Sequence, residues 1–226
     1  SLKAGGYSIT AQARASRRFM SLLEYGIFPI YHEKTQAGLT VLDRDDRAIW
    51  RSCYPERAYT SFEAIPPLIV QSLLFVENRE LLDDRQPYKN PVVEWDRLAK
   101  AAFDWTWGKL DASHQVPGGS TLATQIEKFR HSPEGQTMSA ADKLRQMASG
   151  SLRAYIDGEK TFEARRRIVL DYLNSTPLSA RGGFGEVIGI GDGLWAWYGV
   201  DLVELNRLLA DVPARPVAPA APMTPA

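Results

Sequence analysis

The sequence has one cysteine, no net charge and no long apolar run. Cys53 cannot form an internal disulfide and has no neighbour at metal-ligand spacing, so it does not identify the compartment. The 27 Lys and Arg residues balance the 27 Asp and Glu residues, which argues against a nucleic-acid partner. No segment approaches the ~20 continuous apolar residues of a membrane span. Because the chain begins with Ser1 rather than Met, we expect any anchor or signal to lie upstream.

What is present is enough apolar content, 44% of 226 residues, for one packed domain. Residues 39–50 predict a β-hairpin, the only good strand signal in the chain. Periodicity and caps predict helices near residues 11–25, 67–82, 92–107, 120–131, 139–157, 161–174 and 201–212. The Gly-rich residues 176–193 predict a long flexible connection, and residues 213–226 a Pro/Ala-rich linker. The expected fold is therefore mainly α with a short β-hairpin.

Residues 117–128 read Pro-Gly-Gly-Ser-Thr-Leu-Ala-Thr-Gln-Ile-Glu-Lys and are the most informative segment. The two glycines allow φ > 0 and close approach of a ligand, and Ser120 or Thr121 can cap the helix that follows. Thr121, Gln125 and Lys128 then share one helical face, which could hold a sugar or a phosphate. The alternative is an ordinary Gly-rich turn before a capped helix, and the Gly-Gly-Ser-Thr run alone favours that alternative.

The order of motifs along the chain favours the functional interpretation. Glu77-Asn78-Arg79 lies upstream of the Gly-rich segment, and residues 142–146 (Asp-Lys-Leu-Arg-Gln) and 167–174 (Arg-Ile-Val-Leu-Asp-Tyr-Leu-Asn) lie downstream. This succession resembles family 51 peptidoglycan glycosyltransferases, the polymerising domains of penicillin-binding proteins and their single-domain relatives, over about residues 39–212. The chain departs from the family pattern at Asn78 (family Asp), Asp142 (family Arg) and Gln146 (family Glu).

The resemblance implies a lysozyme-like fold with a smaller jaw subdomain, and it divides the chain into three parts. These are a helical lead-in at residues 1–38, the glycosyltransferase-like domain at 39–212 and the linker at 213–226. The implied location is the outer face of the bacterial cytoplasmic membrane. The implied partners are lipid II, the nascent glycan strand and the membrane surface.

The resemblance also assigns roles to individual residues. Glu77 falls on the position of the catalytic base, which takes the proton of the acceptor hydroxyl. A second group is expected to bind the departing pyrophosphate, where negative charge accumulates: Arg79, Gly119, Ser120, Thr121, Gln125 and Lys128. Asn78, Gln146 and Glu134 are candidate auxiliary residues, with Glu134 the preferred substitute for the carboxylate that Gln146 replaces. Some family members use a divalent cation, but no carboxylate pair identifies a site for one here.

Aromatic residues suggest contact with a bilayer. Phe103, Trp105 and Trp107 fall where the family places its membrane-dipping jaw, and Trp195 and Trp197 follow the second Gly-rich stretch. Trp is favoured at membrane interfaces, but core packing accounts for these rings equally well.

The first prediction is thus a peptidoglycan glycosyltransferase that polymerises lipid II. A second is a catalytically impaired descendant that binds lipid-linked precursor or glycan during envelope assembly, and the departures from the family pattern are its evidence. A third is a lysozyme-like hydrolase, which is disfavoured because glycan cleavage has no need of Lys128 beside a phosphate-binding loop.

Overall fold

The computed structural model describes residues 2–6, 15–93 and 120–210, and this part of the chain is mainly helical. Its α-helices are α1 (Arg17–Glu24), α2 (Pro67–Glu77), α3 (Leu122–His131), α4 (Ala140–Ala154), α5 (Phe162–Ser175), α6 (Gly189–Tyr198) and α7 (Leu202–Leu209). Its strands are β1 (Ala37–Leu42), β2 (Ala48–Tyr54), β3 (Pro177–Arg181) and β4 (Gly185–Ile188). Short 3-10 turns lie at Leu2–Gly5, Phe62–Ala64 and Pro133–Gly135. The predicted fold class is confirmed.

Most predicted helices are present, with bounds that differ by a few residues. Helix α2 ends at Glu77 rather than near residue 82, and α7 ends at Leu209. Ser139 caps α4 and Asp201 caps α7, as their sequence patterns indicate. The predicted helix near 92–107 lies almost wholly outside the described residues, as does the linker at 213–226.

The predicted N-terminal hairpin is confirmed as the antiparallel pair β1–β2. Its turn forms because the Asp43 carboxylate accepts the backbone N–H groups of Asp45 and Arg47, at 2.8 and 2.9 Å. Both strands are exposed along nearly their whole length, including Leu39 and Ile49. The hairpin therefore stands off the helical core.

The core forms where α2, α3 and α5 meet. Val70 and Leu74 of α2, Leu122 of α3, and Val169 and Leu173 of α5 are all buried in one apolar cluster. Their spacing of three or four residues puts each set on one helical face. This packing brings the end of α2 beside α3 and α5.

The prediction of a flexible connection at residues 176–193 was wrong. This segment forms the second hairpin, β3–β4, and the first turn of α6. Gly183 and Gly185 have φ of 80° and 97° in the hairpin turn. Gly191 lies against Arg57, whose backbone carbonyl a β-carbon would strike. The glycines serve tight turns and close packing here, not flexibility.

Two buried side chains fix the path between the first hairpin and α2. The Asn174 amide pairs with Tyr59 on both sides, accepting its N–H at 2.9 Å and donating to its carbonyl at 2.8 Å. The Asp192 carboxylate accepts the backbone N–H groups of Glu56 and Arg57. Loop residues 55–61 are thus held by α5 and α6.

Candidate functional site

The C-terminal end of α2 carries the candidate base. Glu77 is the last residue of the helix and is half-buried. Asn78 leaves the helix with extended backbone geometry, and its buried side-chain oxygen accepts the N–H of Glu80 at 3.1 Å. An amide at this position provides the turn acceptor without burying a charge.

Glu77 is joined to α3 and α5 by two consecutive hydrogen bonds. The Gln125 side-chain nitrogen donates to Glu77 Oε2 at 3.0 Å. The Tyr172 hydroxyl donates to the Gln125 side-chain oxygen at 3.2 Å. Burial raises the pKa of Tyr172 and the Glu77 charge raises it further, so the hydroxyl keeps its proton at neutral pH. The structure therefore brings together the predicted base and one predicted binding residue, and it adds Tyr172.

The N-terminus of α3 is capped by Thr121, one of the two residues predicted for that role. Its hydroxyl accepts the N–H of Thr124 at 3.3 Å and donates to the carbonyl of Val92 at 3.2 Å, and the residue is buried. The structure thus gives the Thr121 hydroxyl a structural task. Gly119, also predicted to bind substrate, lies outside the described residues.

Lys143 contacts a residue just before α3, and it is close enough to Lys128, in the last turn of that helix, to interact with its charge. Lys143 of α4 donates to the hydroxyl of Ser120 at 2.8 Å, and Ser120 is exposed. Burial lowers the pKa of Lys143, and the positive charge of Lys128 lowers it further. The Lys128 ammonium lies 5.4 Å from the Phe129 ring centre and forms no salt bridge among the described residues. Like charges brought together in this way favour binding of an anion.

Lys143 was missed by the sequence-based assignment of roles. The signal was available, since Lys143 lies within residues 142–146, one of the segments that carry the resemblance. The Arg that opens this segment in the family pattern is replaced by Asp142 here, and Asp142 caps α4 together with Ser139.

The other predicted residues lie in different surroundings. The Arg79 guanidinium folds back onto Phe75, 4.0 Å from its ring centre. Gln146 is buried and donates to the hydroxyls of Ser132 and Thr137, at 2.9 and 3.0 Å, so it holds the loop after α3. Glu134 is exposed in that loop. Their roles toward substrate remain predictions.

The opposite side of α3 faces a buried ionic cluster. Glu127, 1% exposed, accepts from Arg153 at 2.7 Å, and Glu33 pairs with Arg130 at 2.8 Å. Burial alone would raise the pKa of Glu33, but the His131 hydrogen bond and the charges of Arg130 and Arg153 together lower it. Glu127 is therefore paired within this cluster and not with Lys128.

The remaining predictions concern aromatics, metals and membranes. Phe103, Trp105 and Trp107 lie outside the described residues, while Trp195 and Trp197 are each about two-fifths exposed, 40% and 41%. Within residues 15–93 and 120–210, no group of His, Cys, Asp and Glu side chains is arranged to hold a metal ion. None of the described helices has the length and hydropathy needed to cross a bilayer.

Comparison with protein-family models identifies a family to which the chain is similar. The model of a family described as Transglycosylase matches residues 46–220, which is most of the chain and includes every predicted site residue. No curated protein matches the chain.

Proposed function

Because the chain belongs to the transglycosylase family, whose members transfer glycosyl units in peptidoglycan synthesis, we propose that it polymerises lipid II with Glu77 as the general base. The observation that carries this proposal is the position of α3. One side chain of this helix, Gln125, holds the Glu77 carboxylate, and the helix begins at the Ser120–Lys143 contact. A base and an anion-binding group then belong to one site.

The reaction requires proton removal at one end of the site and charge stabilisation at the other. Glu77 accepts the proton of the acceptor 4-hydroxyl, whose oxygen attacks the anomeric carbon of the donor as the bond to the lipid pyrophosphate breaks. The configuration at that carbon inverts. The pyrophosphate leaves with the bonding electron pair, and its negative charge is stabilised by Lys128, Lys143 and the Ser120 hydroxyl.

The lowered pKa of Lys143 supports its assignment to the leaving group. An ammonium that is partly buried beside another ammonium is destabilised before substrate binds. A bound pyrophosphate supplies compensating negative charge. The site is therefore complementary to the lipid-linked donor and to the departing group.

A second candidate function is binding of lipid-linked precursor or glycan without polymerisation. Gln146 favours it, because this side chain cannot carry a negative charge and is committed to Ser132 and Thr137. The two candidate functions share the anion-binding group. They differ in whether Glu77 acts as a base in glycosyl transfer.

Polymerisation of purified lipid II by Glu77→Gln tests the proposal. The variant keeps the shape of the side chain and removes the base, so we expect turnover to fall by about 2 to 4 orders of magnitude. Glu80→Gln is the matched control, since Glu80 is three residues away, exposed and paired with Lys89. It should retain the wild-type rate.

The outcomes separate the two candidates. Near-normal turnover by Glu77→Gln would refute Glu77 as the base. A wild-type protein that binds lipid II but forms no glycan would establish the binding function instead. Failure to bind or polymerise would exclude both.

A further inference from the structure

The hydrogen bonds that join Tyr172, Gln125 and Glu77 also bear on how the Glu77 carboxylate is oriented. Glu77 is at the C-terminal end of α2, where the exposed helix carbonyls make a negative charge unfavourable. Its carboxylate therefore depends on donors from elsewhere in the fold. Gln125, 48 residues away in sequence, provides one to Oε2.

A glutamine amide can present either its nitrogen or its oxygen, so its orientation has to be fixed by its neighbours. An ionised carboxylate only accepts hydrogen bonds, and it attracts the amide nitrogen. Once Glu77 has taken a proton, its carboxyl group can also donate, and the amide oxygen becomes an acceptable partner. The carboxylate alone thus fixes the amide in only one half of the catalytic cycle.

Tyr172 provides a second contact that orients the Gln125 amide. Its hydroxyl donates to the Gln125 oxygen from the other side, at 3.2 Å, and this contact favours the amide orientation with the nitrogen toward Glu77 whether or not Glu77 is protonated. The raised pKa of Tyr172 keeps this donor protonated. The ring is half-buried on α5, a helix whose Val169 and Leu173 lie in the core, so the donor is carried by a rigid element.

We propose that Tyr172 is a positioning residue of the glycosyl-transfer site, which fixes the Gln125 amide and through it the rotation of the Glu77 carboxylate. This role rests on the proposed function, since it presupposes that Glu77 is the base. Tyr172 itself touches neither reacting sugar in this scheme.

Tyr172→Phe removes the hydroxyl and keeps the ring. We expect kcat to fall about three- to tenfold, the value of one neutral hydrogen bond, with KM changed less than about twofold. Tyr155→Phe is the matched control, because the Tyr155 hydroxyl donates to the Tyr88 carbonyl at 3.0 Å instead. Its kcat should equal that of the wild type. A fall in thermal stability without a change in kcat would show that the Tyr172 hydroxyl is only structural.

A double-mutant cycle tests whether Tyr172 acts through Gln125. In the Gln125→Met background, Tyr172→Phe should change kcat by less than about twofold, because the intermediary is already lost. An undiminished effect in that background would overturn the proposal.

A measurement without turnover separates this inference from the proposed function. The side-chain NH2 signal of Gln125 in an NMR spectrum of the full chain should move in Tyr172→Phe and stay in place in Tyr155→Phe. An unmoved signal in Tyr172→Phe refutes the positioning role even in an active enzyme. If the signal moves but the wild type forms no glycan, the contact is established and the proposed activity fails.

Discussion

Helix α3 carries polar and charged side chains on two sides, and the two sides differ in how their charges are compensated. On one side, Glu127 is buried and paired with Arg153. On the other, Lys128 has no salt bridge among the described residues, and Lys143 contacts the Ser120 hydroxyl. Adjacent positions of one helix thus carry one buried, paired charge and one charge that has no salt bridge in the described part of the chain. We expect the buried, paired charge to stabilise the fold and the charge without a salt bridge to be available to a ligand.

Removing the buried carboxylate should have the largest effect on stability. Glu127→Ala removes the nearest carboxylate of the Arg153 guanidinium, which keeps only its 3.4 Å contact with Glu33 and its backbone acceptors, so the free energy of unfolding should fall by about 3 kcal/mol. Denaturant unfolding followed by circular dichroism measures it. The control is Glu134→Ala, at an exposed position in the next turn, which should stay within about 0.5 kcal/mol of the wild type. Equal stabilities for the two variants would abolish the distinction between the sides of α3.

Removing the ammonium on the opposite side should affect ligand binding and leave the fold intact. Lys128→Ala should weaken capture of lipid II or of a phosphoglycolipid inhibitor by roughly tenfold, since a charge-assisted contact to phosphate is lost. The free energy of unfolding should change by less than about 0.5 kcal/mol. Lys160→Ala, an exposed lysine elsewhere, controls for net charge in the same binding assay. Unfolding of Lys128→Ala would mean that Lys128 is structural.

The smallest expected effect on stability is that of Lys143→Met, and it has the opposite sign. The folded-state pKa of Lys143 is lowered, so its charged form is less favourable in the folded protein than in the unfolded chain. This cost is present at neutral pH and is lost as the pH rises from the lowered folded-state pKa to the ordinary pKa of the unfolded chain. Lys143→Met should therefore leave the melting temperature at pH 7 unchanged or slightly raised while weakening lipid II binding. A clear loss of stability at pH 7 would contradict this account.

Local sequence pattern predicted the helices and the first hairpin because periodicity, caps and turn residues act over a few positions. The same pattern gave a wrong prediction at residues 176–193, where the many glycines indicate a flexible connection. Gly189 and Gly191 are instead required because the backbone of Asn174 and Arg57 approaches them closely. That need arises from residues far away in sequence, which no local pattern contains.

The candidate site shows the same division. The positions of Glu77, Gln125 and Lys128 followed from motif order, and the structure joins the first two. Tyr172 also lies in a motif, at residues 167–174, but its contact with Gln125 could not be predicted, because it joins positions 47 residues apart and depends on how α5 packs. Lys143 could have been found, since it occupies a motif position, but only the structure brings it to Ser120.

The Asn174 side chain connects α5 to the segment that leads into α2. Its amide pairs with both the backbone N–H and the carbonyl of Tyr59, as a neighbouring β-strand would. The chain that leads into α2 is therefore held against α5. The residue leaving α2 is aligned against the same helix through Gln125 and Tyr172, two positions before Asn174. The chain that leads into the 11-residue helix α2 and the last residue of that helix are therefore connected by hydrogen bonds to one short stretch of α5, Tyr172 to Asn174. A displacement of α5 along its axis would therefore act on the chain before α2 and on the end of α2 together, directly at Tyr59 and through Gln125 at Glu77.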